Sequence, residues 1–232
     1  MQDILSGAIQ AMRLIVSLDS ELLAILLLTL RVSGTALLIS AVVGIPLGSI
    51  MALKSFVGQR LVMALLYTGM GLPPVVVGLF VYLLLSRSGP LGYLGWLFTP
   101  RAMIVAQVII SLPLIAGFTM ASVMGVEPDM RRQLLSLGAT DLQATWAVLK
   151  EARTGVVVSL VAGFGSIISE VGAVMLVGGN IEGSTRVLTT AIVLETRKGS
   201  FDLAIALGII LLALSFLANA AMLALQGRRV TA

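Results

Sequence analysis

The chain contains no cysteine and no histidine, and charged residues make up only 11% of its 232 positions. These two absences exclude disulfides, thiol chemistry, imidazole catalysis and the usual zinc sites. Aromatic residues are few, at 5%, and no basic and aromatic patch indicates nucleic-acid binding. Hydrophobic residues make up 58% of the chain and the mean hydropathy is +1.08, against about 45–50% apolar residues in a soluble domain. The composition indicates an integral membrane protein.

Long apolar runs predict an all-α integral membrane protein with about five transmembrane helices, because a helix needs roughly 20 residues to cross a bilayer. The predicted spans are residues 22–53, 61–85, 102–124, 156–177 and 203–225. The apolar spacing before them predicts an interfacial helix within residues 1–21. Residues 22–227 then form one transmembrane domain, with loops at 87–101 and 178–202 and a short C-terminal tail at 228–232.

The polar segment 127–155, called the knuckle below, interrupts this pattern and predicts two short helices. Pro128 fits a first helical turn, and Gly138 can end that helix. Thr140 is a suitable N-cap for the second helix, with Gln143 three positions later to complete a capping box. The second helix carries one apolar stripe made of Leu142, Trp146 and Leu149. Such a knuckle fits a groove on another protein, with a glycine that allows close approach; lying on the membrane surface is the alternative.

Three features inside the predicted spans are costly in a membrane. Pro73 and Pro74 must break or bend the second span, either to line a pathway or as a purely structural kink. Arg31 either snorkels from a long, tilted helix or faces a polar interior. Glu170 is a gate or packing anchor near a pathway, or a buried acid that is protonated or paired with a base such as Arg31. No histidine or second carboxylate stands with Glu170, so the chain offers no catalytic constellation.

The distribution of basic residues predicts the orientation in the membrane. If the knuckle is cytoplasmic, eight bases face the inside and six the outside, in the sense of the positive-inside rule. The N-terminus is then outside and the C-terminus is cytoplasmic. Three of the outside bases follow the fourth span, where attraction of an anion or contact with a partner is another reason for them; they are Arg186, Arg197 and Lys198.

Residues 72–78 read LPPVVVG, and residues 169–173 read SEVGA. These motifs resemble those of permease subunits of type I ABC importers, in the molybdate and tungstate family, and SEVGA is similar to the family's GEFGA. Residues 179–192 contain GNI, then TR and TTAI, which is similar to the family's GNI-x-G-x-T in the form of the tungstate branch. In the knuckle, SLGA at 136–139 and Val148 keep the spacing of the family's coupling loop. Arg132-Gln133-Leu134 stand where its EAA triplet would be, and Lys150-Glu151 replace its Leu-Pro ending.

The resemblance implies the permease subunit of an ATP-driven oxyanion importer that works by alternating access, with tungstate as the expected substrate. Molybdate or sulfate is the alternative within the family, and a non-transport membrane scaffold is the alternative outside it. The resemblance implies no enzyme activity and no cofactor in this chain, since ATP and Mg²⁺ would be bound by two partner ABC ATPase subunits. The other implied partners are a second copy of the chain, an extracytoplasmic oxyanion-binding protein and membrane lipid. The implied location is the plasma (inner) membrane of a prokaryote.

The resemblance also assigns candidate residues. Those expected to couple the knuckle to the ATPase are Arg132, Gln133, Leu134, Gly138, Ala139, Asp141 and Trp146. A path for a tetrahedral dianion should offer hydroxyl and backbone donors, although small polar residues in spans are also packing aids. The pathway or gate candidates are Pro73, Pro74, Ser166, Ser169, Glu170, Asn180 and Thr189. No catalytic residue and no metal ligand is predicted.

Overall fold

The computed structural model describes residues 20–224 together with Ile9 and Ser17. The predicted interfacial helix at 1–21 lies almost entirely outside the described residues, and the predicted tail at 228–232 lies wholly outside them. Both therefore stay predictions.

In the described part of the chain, the regular elements are helices. They are α1 (Ser20–Leu53), α2 (Gln59–Met70), α3 (Pro74–Leu85), α4 (Pro100–Met124), α5 (Pro128–Ser136), α6 (Asp141–Glu151), α7 (Arg153–Ile168), α8 (Gly172–Gly178), α9 (Leu188–Lys198) and α10 (Phe201–Ala224). One 3₁₀ turn, Gly92–Leu94, lies in the loop between α3 and α4. The all-α class predicted from composition is confirmed.

Three helices, α1, α4 and α10, are each long and apolar enough to cross a membrane. Two pairs of helices, α2 with α3 and α6 with α7, pass the same test but are bent at short breaks, so the described residues offer up to five spans. The predicted break at the double proline is confirmed: Gly71, Leu72 and Pro73 separate α2 from α3, and Pro74 occupies the first turn of α3, where its missing N–H costs nothing.

Two expectations about the second half of the chain are wrong in detail. The predicted fourth span, 156–177, is not one helix: α7 ends at Ile168 and α8 starts at Gly172. The predicted loop 178–202 contains a whole helix, α9, whose first turn is buried at Leu188, Thr189, Thr190 and Ala191. The hydropathy pattern hid α9 because its second half, LETRK, is polar, and the helix is too short to read as a span.

The described residues divide into two compact units, which we describe separately. Unit 1 comprises residues 20–36, Pro73–Gln107 and Gly165–Asn219, and unit 2 comprises Leu37–Leu72, Val108–Phe164 and residues 220–224. The core of unit 1 joins the start of α1 to α9 and α10 through Leu22, Ile25, Leu188, Ala191, Ala206, Leu207 and Ile210. This core fixes α9 on the first turns of α1.

Unit 2 has an apolar core crossed by paired hydroxyls. Met51, Leu66, Ala116 and Met120 pack together, from α1, α2 and α4. Ser40 and Ser111 are hydrogen bonded at 2.7 Å, and Thr119 and Ser159 at 3.1 Å. Each hydroxyl therefore finds a partner inside the protein, as polar groups between membrane helices must. A smaller cluster, Val123, Val148 and Ala152, seats the second knuckle helix, α6, on the end of α4.

Candidate functional site

The two predicted groups of functional residues fall in different units. The pathway candidates, Pro73, Pro74, Ser166, Ser169, Glu170, Asn180 and Thr189, all belong to unit 1. The coupling candidates, Arg132, Gln133, Leu134, Gly138, Ala139, Asp141 and Trp146, all belong to unit 2.

Within unit 1, helix α3 lies directly against α8. A Cβ added at Gly78 would lie 2.6 Å from the Cα of Ala173, and one added at Gly172 would lie 2.6 Å from Cγ2 of Val75. The atom that faces Gly78 is backbone and cannot move aside, so Gly78 is required by packing, while Gly172 leaves room for the Val75 side chain. The LPPVVVG and SEVGA motifs, about a hundred residues apart in the chain, are therefore the two sides of one contact.

Glu170 connects three parts of this site through its side chain and its backbone. Its Oε1 accepts a hydrogen bond from the N–H of Ala173 at 2.8 Å, which satisfies one of the free donors at the start of α8. Its backbone carbonyl accepts a hydrogen bond from Oγ1 of Thr189 at 3.0 Å. The salt bridges among the described residues do not join Glu170 to Arg31. Of the alternatives open from the sequence, these contacts support the packing anchor.

The glycine-asparagine stretch after α8 forms a tight loop that one buried hydroxyl closes. Asn180 has a positive φ of 51°, a conformation that asparagine tolerates better than most residues. Oγ1 of Thr185 donates to the carbonyl of Gly178 at 2.6 Å and accepts from the N–H of Ile181 at 2.9 Å. The threonine of the GNI-x-G-x-T resemblance thus holds both ends of the turn.

The start of α9 is held by Thr29, which the sequence did not single out, and by Thr190, which lies in the TTAI stretch. Oγ1 of Thr29, in α1, accepts a hydrogen bond from the N–H of Leu188 at 3.0 Å. Oγ1 of Thr190 accepts from the N–H of Val187 at 3.0 Å. Both side chains are buried. Thr29 is a single threonine in an apolar stretch, which carries no signal that separates a helix cap from a packing residue.

The hydrogen bonds of the two serine candidates stay within their own helical turn and do not reach the Glu170 contacts. Oγ of Ser169 donates to the carbonyl of Gly165 at 2.8 Å, within its own helical turn, and the residue is exposed. Ser166 is half-buried, and its carbonyl lies 3.4 Å from the same Ser169 hydroxyl. These two residues stay pathway candidates.

We predict that Glu170→Gln keeps the fold whereas Glu170→Ala loses stability. The glutamine retains an Oε1 that can accept the Ala173 N–H, while alanine leaves that donor without its side-chain acceptor, at a cost of about 1 kcal/mol. Melting temperatures of the purified detergent-solubilised variants test this. If Glu170→Gln were destabilised as much as Glu170→Ala, the carboxylate charge rather than the cap would be what matters.

In unit 2, the knuckle has the predicted geometry of two capped helices. The capping box is formed: the N–H of Gln143 donates to Oγ1 of Thr140 at 3.3 Å, and the N–H of Thr140 donates to Oε1 of Gln143 at 2.9 Å. Helix α5 ends just before Gly138, whose φ is +89°. A Cβ at Gly138 would meet nothing within 4 Å, so within this chain the glycine is required by its backbone angle and not by close approach.

One salt bridge ties the two knuckle helices together. Nη2 of Arg131 lies 2.7 Å from Oδ1 of Asp141, and the arginine side chain is 25% exposed. A second pair, Arg132 with Asp129 at 3.3 Å, is highly exposed and contributes little. Asp141 was predicted as a coupling residue, whereas its partner Arg131 was not, because a ten-residue separation across a turn has no sequence signature.

The outer face of the knuckle is apolar and uncovered in this chain. Leu137 is 84% exposed, Leu142 79% and Trp146 70%. Leu149, which the sequence placed on the same stripe, packs against the Val123, Val148 and Ala152 cluster instead. The predicted stripe is therefore divided: its first two residues face outward and its last one seats the helix. Among the coupling candidates, Arg132 and Gln133 are exposed, while Leu134 and Ala139 are half-buried.

Comparison with known proteins agrees with this geometry. The family model described as binding-protein-dependent transport system inner membrane component matches residues 44–231. A probable anion ABC transporter permease protein of Haloferax volcanii is 46% identical over 204 residues, covering 86% of this chain and 88% of that protein. The tungstate uptake system permease protein TupB of Peptoclostridium acidaminophilum is 42% identical over 226 residues, covering 97% of this chain and 99% of that protein.

A solved structure shares the fold. The crystal structure of a bacterial alginate ABC transporter, in complex with its alginate pentasaccharide-bound periplasmic protein, matches with a TM-score of 0.73 and 23% identity, over 90% of this chain and 80% of that one. The predicted type I ABC importer permease fold is confirmed. With its model match, its relatives and its apolar helices, the chain belongs to the family of binding-protein-dependent transport system inner membrane components, and is a multi-pass protein of the inner membrane.

Proposed function

We propose that this chain is the permease subunit of an ATP-driven tungstate importer. The observation that carries the proposal is the 42% identity to the TupB tungstate permease over almost the whole of both chains. The GNI stretch, followed by TR and TTAI, supports the same assignment, because it is similar to the form found in the tungstate branch. Molybdate is the second candidate, because the LPPVVVG and SEVGA motifs are similar to those of molybdate permeases as well.

The knuckle docks an ABC ATPase, and the energy for transport comes from that partner. ATP and Mg²⁺ bind to the ATPase subunit, two of which serve a pair of permease copies. Three exposed apolar residues, Leu137, Leu142 and Trp146, provide the docking face, and helix-in-groove contacts of this kind use such anchors. The Arg131–Asp141 bridge joins α5 to α6, so that a push on one helix also moves the other.

Substrate follows the two helix breaks, Gly71–Pro73 and Ser169–Val171. Irregular backbone at membrane depth is tolerated where it is buried in protein or lines a cavity, so breaks of this kind are suited to line a pathway. An extracytoplasmic oxyanion-binding protein delivers the dianion, and the spans alternate access as the ATPases close. The knuckle and the C-terminus are cytoplasmic and the N-terminus is outside, in accord with the eight inside bases against six outside.

The test is uptake by the complete complex. Proteoliposomes that hold the permease, its ATPase and its binding protein should accumulate tungstate in an ATP-dependent way, with half-saturation at a concentration at least about tenfold below that for molybdate or sulfate, a difference of about 1.4 kcal/mol. Vesicles with non-hydrolysable ATP are the control. Equal half-saturation for tungstate and molybdate would overturn the tungstate assignment, and uptake without ATP would overturn the importer itself.

A further inference from the structure

A cavity of about 630 Å³ lies in unit 1 beside the first turns of α1, and neither the pathway nor the knuckle uses it. Its charged lining comes from Glu21 and Arg31 of α1 and from Glu182 and Arg186 of the loop before α9, and Pro100 at the start of α4 also lines it. Its volume falls within the range of about 300–1,000 Å³ that small-molecule sites occupy. The cavity is partly open, so a group from outside can enter it.

The helices that line this cavity place it at the membrane–water boundary. Helix α1 has 34 residues and is about 51 Å long, well beyond the roughly 30 Å of the hydrocarbon layer, so its ends reach past that layer. Pro100 follows Trp96, whose ring lies 5.9 Å from the guanidinium carbon of Arg101, and tryptophan with a nearby base is typical of the interface. Arg31 is eleven residues, or about 16 Å, along α1 from Ser20, within snorkelling reach of the same level.

The charges in the cavity balance in number but differ in how they are held. Arg186 is 13% exposed and is fixed by Glu21 and Glu182, each at 3.3 Å from Nη1. The two carboxylates remain 61% and 72% exposed, so each has free acceptor capacity. Arg31 is exposed and takes part in none of the salt bridges among the described residues. The site thus offers a free guanidinium on the membrane side and free carboxylate oxygens near the helix end.

We propose that this cavity binds the phosphoethanolamine headgroup of a membrane phospholipid. Arg31 donates to the phosphate oxygens, a pairing that the planar guanidinium favours. The ammonium group donates its N–H bonds to Glu21 and Glu182. A choline headgroup has no N–H to donate, and a purely anionic headgroup brings no donor to the acceptor oxygens that Arg186 leaves free on Glu21 and Glu182, so a cavity with charges of both signs selects a primary-amine zwitterion.

The test compares lipids of identical acyl chains added to the purified full-length permease. Phosphatidylethanolamine should raise the melting temperature about 4 °C more than phosphatidylcholine does, a shift expected for saturable binding to a chain of this size. Arg31→Gln and Glu182→Gln should each remove that difference. Arg197→Gln, which changes an exposed base that does not line the cavity, should retain it.

Three results would overturn the proposal: equal stabilisation by phosphatidylcholine, greater stabilisation by phosphatidylglycerol, or a phosphatidylethanolamine preference that survives both cavity variants. If Arg31→Gln does not fold, Glu182→Gln decides alone, since that residue is 72% exposed in a loop and its loss leaves Arg186 paired with Glu21. Lipid retained in native mass spectra gives an independent reading of the same selectivity.

Discussion

Gly138→Val is expected to leave the protein inserted in the membrane but to lower ATP-driven uptake by about tenfold or more. The φ of +89° at this position costs an ordinary L-residue about 1–2 kcal/mol, and a β-branched side chain more. The turn between α5 and α6 then relaxes to another geometry, and the docking face of Leu137, Leu142 and Trp146 is no longer presented as one surface. Uptake by reconstituted complexes, normalised to the amount of inserted permease, measures the effect.

Gly58 provides a matched control for this experiment. Its φ is +87°, and, as at Gly138, an added Cβ would meet nothing within 4 Å, but it lies in the connection before α2 and outside the knuckle. Gly58→Val should therefore carry similar backbone strain with much smaller loss of uptake. Gly138→Asn should retain most uptake, because asparagine tolerates a positive φ. Undiminished uptake by inserted Gly138→Val, or equal loss in both valine variants, would contradict a specific role for the knuckle.

Gly78→Ala is expected to destabilise the folded permease by about 1–3 kcal/mol, which a single added methyl group seldom does outside a tightly packed contact. The new Cβ would lie 2.6 Å from the Cα of Ala173, a backbone atom that cannot rotate away, so α3 and α8 must separate. The melting temperature in detergent and the fraction of monodisperse protein measure the loss. Gly78→Leu should prevent folding altogether.

Two other helical glycines of unit 1 serve as controls. A Cβ at Gly34 or Gly208 would meet nothing within 4 Å. Gly34→Ala and Gly208→Ala should be neutral or slightly stabilising, because alanine has the higher helix propensity and no neighbour is displaced. If Gly78→Ala proved as stable as these two variants, the close contact between α3 and α8 would be absent from the protein in solution.

Features that depend on neighbours in the chain could be predicted from the sequence. The Thr140–Gln143 capping box, the Gly138 stop and the break before Pro74 each follow from residues within four positions of one another. The three unbroken apolar helices, α1, α4 and α10, followed from hydropathy alone. In every case the physical cause is local: a side-chain cap, a backbone angle or a missing N–H.

Features that depend on distant contacts could not be predicted in this way. Nothing near Gly78 indicates that Ala173 lies against it, although the motif resemblance marked both stretches. Helix α9 was missed because its burial against Leu22 and Ile25 decides its structure, while its own polar half indicates a loop. The inward turn of Leu149 likewise depends on Val123, which is distant in the sequence.

The threonine contacts of unit 1 form a series of hydrogen bonds that links α1, α9 and α8 and constrains how the permease can move. Thr29 donates to the Ile25 carbonyl and accepts from Leu188, the next residue Thr189 donates to Glu170, and Glu170 in turn accepts from Ala173. Any transport step that slides α1 past α8 must either break one of these hydrogen bonds or carry the start of α9 with it. Hydrogen exchange at the Leu188 and Ala173 amides would therefore report, for each of these two hydrogen bonds, whether it breaks during turnover.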